Sequence, residues 1–161
     1  MEDINKYTYR VMVCTPFNGL SDEAINNEID RIVDFVHDYI IESLKKESSD
    51  GSEINLCFYD NNICYRRPNL SDDDRDYDYR LMCMANGLSN IMAECDFVVF
   101  GPGWEKSRGC LAEATVAKLY NKPVVALEEY VDLVTNRSHV EVMNPARFKL
   151  TLMKALVEGV Q

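Results

Sequence analysis

The stretch that decides the fold runs from residue 96 to residue 127. It reads Asp96-Phe97-Val98-Val99-Phe100, then Gly101-Pro102-Gly103-Trp104-Glu105-Lys106-Ser107-Arg108-Gly109, then an alanine-rich run to Tyr120, then Lys122-Pro123-Val124-Val125-Ala126-Leu127. This order of apolar run, glycine loop, helical run and apolar run predicts a strand, a loop, a helix and a second strand. Neither apolar run alternates with polar residues, which is typical of strands in a parallel sheet covered on both faces. Because open α/β sheets bind ligands at the carboxyl ends of their strands, the 101–109 loop is the first candidate for a functional site.

Two side chains at the start of the predicted helix are candidates for chemistry. Ser107 is a favoured N-cap residue, and the helix start behind it offers free N–H groups and a positive dipole end, which suit a phosphate or a carboxylate. Glu113 follows in the second turn and shares a face with small and apolar residues: Gly109, Cys110, Val116, Ala117 and Tyr120. A carboxylate on such a face is expected to be partly desolvated. The structural alternative is that Ser107 only caps the helix and Glu113 only favours its start.

These residues resemble the nucleoside 2-deoxyribosyltransferase-like superfamily over roughly residues 95–126. The resemblance rests on Cys95-Asp96-Phe97-Val98-Val99, Gly103-Trp104-Glu105-Lys106-Ser107-Arg108-Gly109-Cys110, Glu113, Ala117 and Lys122-Pro123-Val124. The Pro-Gly-Trp-Glu-x-Ser-x-Gly wording is closest to an uncharacterised bacterial and phage branch. The transferases carry Asp-x-Gly-x-x-x-Glu, in which the Glu attacks the anomeric carbon and the Asp contacts the sugar. In the related nucleoside 5′-monophosphate N-glycosidases a Ser replaces the Asp and helps to hold the 5′-phosphate, and this chain is similar to that branch.

The resemblance implies cleavage or transfer at the N-glycosidic bond of a nucleoside or nucleoside 5′-monophosphate. Glu113 is the implied nucleophile, and Trp104 and Phe17 are expected to bracket the base. For Phe17 the equal alternative is an ordinary core residue that closes the loop after the first strand. The implied substrate-binding residues are Thr15, Pro16, Phe17, Gly103, Trp104, Ser107, Arg108, Gly109 and Cys110. No metal and no organic cofactor is implied. The alternative is a protein on the same scaffold that binds a nucleotide, as a sensor or a sequestering protein, without catalysis.

The rest of the chain predicts alternating strands and helices. A first strand covers Tyr9 to Thr15, a second covers 54–59, and a short fifth covers 140–143. The first helix follows Ser21 and has one apolar face: Ile25, Ile29, Ile32, Val33, Val36, Ile40 and Leu44. The second helix has Leu81, Met84, Leu88, Ile91 and Cys95 on one face, and the last begins at Pro145 with Phe148, Leu152, Leu156 and Val157. This alternation predicts one Rossmann-like domain over 1–161, a flavodoxin-like three-layer α/β sandwich with a parallel sheet of four or five strands.

A general acid is the part of the resembled site that the sequence does not supply at the family's position. The family places an Asp at the start of the segment before Asp96, where this chain has Asn86-Gly87-Leu88. Asn86 can hold a sugar hydroxyl but cannot act as a general acid at neutral pH, and Asp78 is a possible substitute. The 60–78 loop can also serve as a lid that brings Arg66 or Arg67 to a phosphate. Its alternating acids at 72, 74 and 76 lack the Gly and terminal Glu of a calcium loop, so a solvated acidic helix start is expected.

Composition narrows the partners. The chain has 161 residues, 47% of them hydrophobic, and a net charge of −10 with no large basic cluster, which argues against duplex nucleic acid and anionic membranes. Six cysteines without a Cys-x-x-Cys pair and only two histidines make a zinc site unexpected and favour free thiols in a reducing cytoplasm. No signal peptide or membrane-spanning run is recognised, so a cytoplasmic location is expected. A homo-oligomer is expected because the resembled enzymes share pockets between subunits and the 79–95 helix is rich in Met and Cys.

Overall fold

A computed structural model describes residues 6–17, 19–47, 53–60 and 77–159. Strands and helices alternate from β1 to β4, as expected for the α/β class, and a second strand then follows β4 directly. The elements are β1 (Lys6–Cys14), α1 (Asp22–Glu47), β2 (Glu53–Asp60), α2 (Tyr77–Ala93), β3 (Phe97–Phe100), a 3₁₀ turn (Trp104–Lys106), α3 (Arg108–Leu119), β4 (Val124–Val131), β5 (Ser138–Val142) and α4 (Pro145–Glu158). None of the helices within the described residues is both long and apolar enough to cross a membrane.

The sheet has five strands in the order β2-β1-β3-β4-β5. Four of them are parallel: β1 pairs with both β2 and β3, and β3 pairs with β4. The fifth strand, β5, is antiparallel to β4, with Leu127 opposite Val142 and Val131 opposite Ser138. The expectation of a fully parallel sheet is therefore corrected for this edge strand. The connection from β4 to β5 is a short turn, which joins antiparallel strands, whereas a parallel pair needs a crossover of a dozen or more residues.

Both faces of the sheet carry an apolar cluster, because successive side chains of a strand point to opposite sides. Val11 and Val13 of β1 pack against α1, whose buried residues are Ile25, Ile29, Ile32, Val36, Ile40 and Leu44. Met12 and Cys14 of the same strand pack with residues of α2, α3 and α4 on the other face. The helical periodicity predicted for α1 is confirmed, and Ser21 caps that helix by accepting a hydrogen bond from the N–H of Ala24 at 3.1 Å.

Two boundaries differ from the sequence expectation. The strand predicted to end at Leu127 continues to Val131 as one arm of a hairpin. The face predicted for α4 is only half right: Phe148 and Leu152 are buried, but Leu156 is 52% exposed and Val157 is 86% exposed. The outer arm of the hairpin carries Glu128-Glu129-Tyr130 and has no apolar alternation that sequence reasoning can recognise.

Candidate functional site

The carboxyl ends of β1 and β3 meet at the candidate site. Cys14 is in register with Phe100, and the Cys14 carbonyl accepts a hydrogen bond from the Gly101 N–H at 2.8 Å. A Cβ atom on Gly101 would lie 2.6 Å from Thr15 Oγ1, so the segments that follow β1 and β3 are in close contact where they leave the sheet. The connections from β1 and β3 lead to opposite sides of the sheet, to β2 and to β4. This is the topological switch point at which open α/β sheets bind their ligands.

The loop after β3 is folded tightly by its own backbone. Gly103 has a φ of +84°, a conformation that residues with a side chain rarely adopt, and its α-carbon faces Pro16. The N–H of Trp104 donates to the Gly101 carbonyl at 3.2 Å, and the N–H of Lys106 donates to the Gly103 carbonyl at 3.0 Å. This 3₁₀ turn delivers the chain to Ser107 in an extended conformation.

Ser107 is the N-cap of α3, as the sequence predicts. Its Oγ accepts a hydrogen bond from the Cys110 N–H at 3.3 Å, and its carbonyl accepts the Leu111 N–H at 2.9 Å. The structure shows no acceptor for the N–H groups of Arg108 and Gly109 among the residues that it describes. Unpaired N–H groups at a helix start attract anionic oxygens.

Glu113 lies inside the protein at this same edge. Its side chain is only 3% exposed, and Thr15 is 5% exposed. Among the residues whose burial the structure describes, which excludes 6, 60 and 77–83, these two are the only buried polar or charged ones. The Glu113 carboxyl hydrogen-bonds the thiol of Cys14, the last residue of β1. The desolvation expected for Glu113 from the helical pattern is thus confirmed, and a buried carboxylate is a costly feature that functional sites commonly contain.

The two thiols beside Glu113 are held in their protonated form. Burial, and then the negative charge of Glu113, raises the pKa of Cys14 well above its usual range. The same two causes, in that order, raise the pKa of Cys110 to about 12, while a hydrogen bond with Ser107 opposes them. A neutral thiol is a poor nucleophile, which argues against a nucleophilic role for Cys14 or Cys110.

Trp104 occupies the core rather than the surface of the site. The residue is fully buried, and its ring centroid lies 5.8 Å from that of Phe100 and 5.1 Å from that of Phe148. The indole face is therefore covered by other aromatic rings and is not presented to a base, contrary to the stacking role expected for it. Phe17 and Pro16, both half-buried after β1, are the remaining candidates for contact with a base.

Asn86 is not brought to Glu113. It is exposed on α2, two residues after Met84, whose sulfur atom would lie 3.3 Å from a Cβ on Gly109. Residues two apart on a helix point away from each other, so Asn86 lies on the side of α2 away from this contact. The structure describes Asp78 only as part of the first turn of α2, and its side chain lies outside the description. The lid expected from Arg66, Arg67 and their neighbours also lies outside the described residues, which resume at Tyr77.

Cys14 is the site residue that the sequence reasoning missed. The alternation of side chains along β1 could have identified it, because Cys14 points to the same face of the sheet as Met12, and α3 covers that face. The described residues contain no group of three or more His, Cys, Asp or Glu side chains that could hold a metal ion. The cysteines whose side chains are described are all free: Cys14, Cys57, Cys95 and Cys110.

No protein-family model and no curated protein matches this chain.

Proposed function

We propose that the protein cleaves or transfers the N-glycosidic bond of a nucleoside or nucleoside 5′-monophosphate, with Glu113 as the nucleophile. The observation that carries the proposal is the burial of Glu113 next to Cys14, at the carboxyl ends of β1 and β3. A carboxylate is a suitable nucleophile for a sugar carbon, because it forms a glycosyl ester that a second acceptor can cleave. The resemblance over residues 95–126 supports the same assignment.

The proposed reaction has two steps. A carboxylate oxygen of Glu113 bonds to the anomeric carbon, and the base leaves with the electron pair of the glycosidic bond and takes up a proton from water. Water or a second base then attacks the same carbon and releases the carboxylate. The Cys14 thiol, which hydrogen-bonds the Glu113 carboxyl, helps to fix its orientation.

The start of α3 is the proposed seat of the sugar or its 5′-phosphate. The N–H groups of Arg108 and Gly109 and the hydroxyl of Ser107 face the same end of the helix dipole, and charge-assisted hydrogen bonds to such groups are strong. The N–H of Cys110, expected from the sequence to contact the ligand, instead donates to Ser107 Oγ, and Gly103 and Pro16 flank the loop. We also assign the fold to the flavodoxin-like three-layer class, which the strand order β2-β1-β3-β4-β5 supports.

A second candidate is a nucleotide-binding protein without catalysis. The observation in its favour is the position of Asn86, which is exposed and lies on the side of α2 away from Gly109. A site that binds a nucleotide but has no side chain to stabilise the departing base would leave the nucleotide intact. The anion-binding features at the start of α3 serve either function.

Incubation with a panel of nucleosides and 5′-monophosphates, followed by chromatography of the products, separates the two candidates. The proposed enzyme releases free base from at least one compound, and addition of a second base distinguishes transfer from hydrolysis. A ligand that binds in calorimetry and is recovered intact after long incubation supports the binding protein. If no compound of the panel binds or reacts, both candidates are contradicted.

A further inference from the structure

Helix α4 is apolar on two sides, although only one side faces the core. Phe148 and Leu152 are buried against the sheet. Leu150, Met153 and Val157 lie on the other side and are 68%, 62% and 86% exposed. Their spacing of three and four residues places them in one stripe along the helix, here called the outer stripe. A helix that is apolar on both sides is typically buried on both sides, so the outer stripe indicates a docking surface.

Lysines flank the outer stripe in a chain of opposite overall charge. Lys149 and Lys154 project on either side of it at helical spacing, and Lys118 at the end of α3 is close enough to Lys149 for the pKa of Lys118 to be lowered. None of these three lysines forms an ion pair with another described residue. Like charges placed together on a protein of net charge −10 suit a partner that brings negative charge.

The β4–β5 hairpin carries a second exposed apolar group on a rigid turn. Asp132 Oδ1 accepts hydrogen bonds from the N–H groups of Val134 at 2.8 Å and Thr135 at 3.4 Å. The Asp132 carbonyl accepts the Asn136 N–H at 2.8 Å. This turn displays Leu133 and Val134, which are 96% and 94% exposed. Two adjacent aliphatic side chains held almost wholly in water on an ordered turn are costly unless another surface covers them.

The hairpin extends far enough from the sheet, and carries enough negative charge, to contact the outer stripe of another copy. β3 pairs with β4 only as far as Ala126, so the five further residue pairs between β4 and β5 project past the parallel sheet; these pairs are here called the arm. Asp132 supplies a carboxylate at the tip, and Glu141 lies on the arm, 3.2 Å from His139, whereas Glu129 is already paired with Arg31 of α1 at 3.0 Å. Arg147, in the first turn of α4, hydrogen-bonds Glu128 at 2.7 Å and Tyr130 at 2.8 Å, which fixes the arm relative to α4.

We propose that the hairpin tip of one protomer, Leu133 and Val134, docks on the outer stripe of α4 in a second copy of this chain. The apolar tip covers the apolar stripe, and the acidic residues of the arm approach the flanking lysines. Two-fold symmetry uses each pair of surfaces twice and closes the assembly as a dimer. This inference does not depend on the chemistry proposed for Glu113. An anionic membrane is the competing partner for an apolar stripe with lysines, but the net charge of −10 opposes that attraction.

Light scattering and sedimentation at micromolar concentration test the association. The unmodified chain is expected to be a dimer. Leu133→Asp and Met153→Glu should each raise the dissociation constant by roughly tenfold or more. Tyr39→Asp is the matched control, because Tyr39 is an exposed aromatic residue on α1, which packs on the opposite face of the sheet. A monomeric unmodified chain, or a dimer that neither substitution weakens, overturns the proposal.

Cross-linking between two variants tests the contact itself, in a background where exposed Cys57 is replaced by Ser. Val134→Cys and Met153→Cys proteins are mixed and treated with a short bismaleimide. The proposal requires a covalent dimer in the mixture well above the level in either variant alone. A cross-linking yield in the mixture no higher than in either variant alone contradicts the proposal. The proposal is also contradicted if the unmodified chain is a monomer that binds anionic vesicles and loses that binding in the Met153→Glu variant.

Discussion

Ser107 combines a structural role with a proposed role in binding, and the two can be separated. Its hydroxyl oxygen accepts the Cys110 N–H, so it caps α3 whatever the ligand is. The same turn exposes helix-start N–H groups that attract an anion. Asp is as good a cap as Ser, but its charge repels a phosphate. A substitution to Asp therefore keeps the cap and alters only the electrostatics of the binding site.

We predict that 5′-monophosphates bind more tightly than their nucleosides by about tenfold or more, since each charge-assisted hydrogen bond contributes about 1.5–3 kcal/mol. Ser107→Asp should abolish or reverse this preference with little change in thermal stability. Calorimetric titration of one nucleoside and its monophosphate against both proteins measures the effect. Equal affinities in the unmodified protein end the phosphate assignment, and an unchanged preference in Ser107→Asp leaves Ser107 as a cap alone.

Cys110 makes the stability of the protein depend on alkaline pH. Its thiol has an ordinary pKa of 9.0 and a pKa raised to about 12 in the folded protein, so the folded state retains the proton between these values. The resulting stabilisation is complete below about pH 9 and is lost as the pH rises towards 12. The free energy of unfolding should fall by at most about 1.4 kcal/mol per pH unit from this group.

Denaturant unfolding from about pH 8 to about pH 11 tests this in the unmodified protein and in Cys110→Ala. The cavity that the substitution leaves lowers stability equally at every pH, so only the slope reports on the thiol. We expect a shallower alkaline decline in Cys110→Ala. Parallel curves would contradict the raised pKa of Cys110.

At the scale of elements, the packing of β1 against the loop after β3 depends on Gly101. A Cβ there would lie 2.6 Å from both Thr15 Oγ1 and Ile32 Cδ1 and 2.9 Å from Thr15 Cβ. Ile32 Cδ1 is the end of a side chain, but Thr15 Cβ is bonded to the backbone, so relieving that contact shifts the chain at the end of β1. Gly109, the other glycine of the loop with close neighbours, differs in its surroundings. A Cβ on Gly109 would lie 3.3 Å from the sulfur of Met84, which belongs to a flexible side chain.

We predict that Gly101→Ala lowers the free energy of unfolding by about 1–3 kcal/mol, as overpacking of a close contact does. Gly109→Ala should cost less, because Met84 can adopt another rotamer. Urea unfolding of the two variants gives the comparison. A Gly101→Ala protein as stable as the Gly109→Ala protein would show that the end of β1 yields easily.

The elements predicted well from the sequence are those that bury one face, such as α1, or both faces, such as β3. The apolar spacing of α1 matches its buried residues, and the run from Phe97 to Leu119 folds as strand, loop and helix. The antiparallel hairpin was not predicted, because the outer part of β4 is only partly covered, on one face, and the residues on that face, Glu128 and Tyr130, are polar. Trp104 was misread for a related reason: the sequence shows an aromatic residue in a binding loop, but only the structure shows Phe148 of α4 packing against it.

At the scale of the whole molecule, the candidate site and the proposed interface lie on neighbouring parts of the fold: the site at the ends of β1 and β3, and the interface on the β4–β5 hairpin and α4. The parallel strands end at the site beside Glu113, and β4 continues past them into the hairpin arm. The arm and α4 are joined by Arg147. Association through the arm and chemistry at Glu113 are separate claims, and a variant such as Met153→Glu tests the first without touching the second.

The central claim is that the Glu113 carboxylate attacks the sugar, and the rate of base release by Glu113→Gln tests it most directly. Gln has the same shape without the nucleophilic charge, so the variant should fold and bind the ligand but release base slower by several orders of magnitude. Glu105→Gln, which changes a half-buried acid of the same loop, is the matched control and should keep most of the activity. Calorimetry and circular dichroism establish binding and folding in each protein. A folded Glu113→Gln protein that releases base at a rate close to that of the unmodified chain would contradict the account.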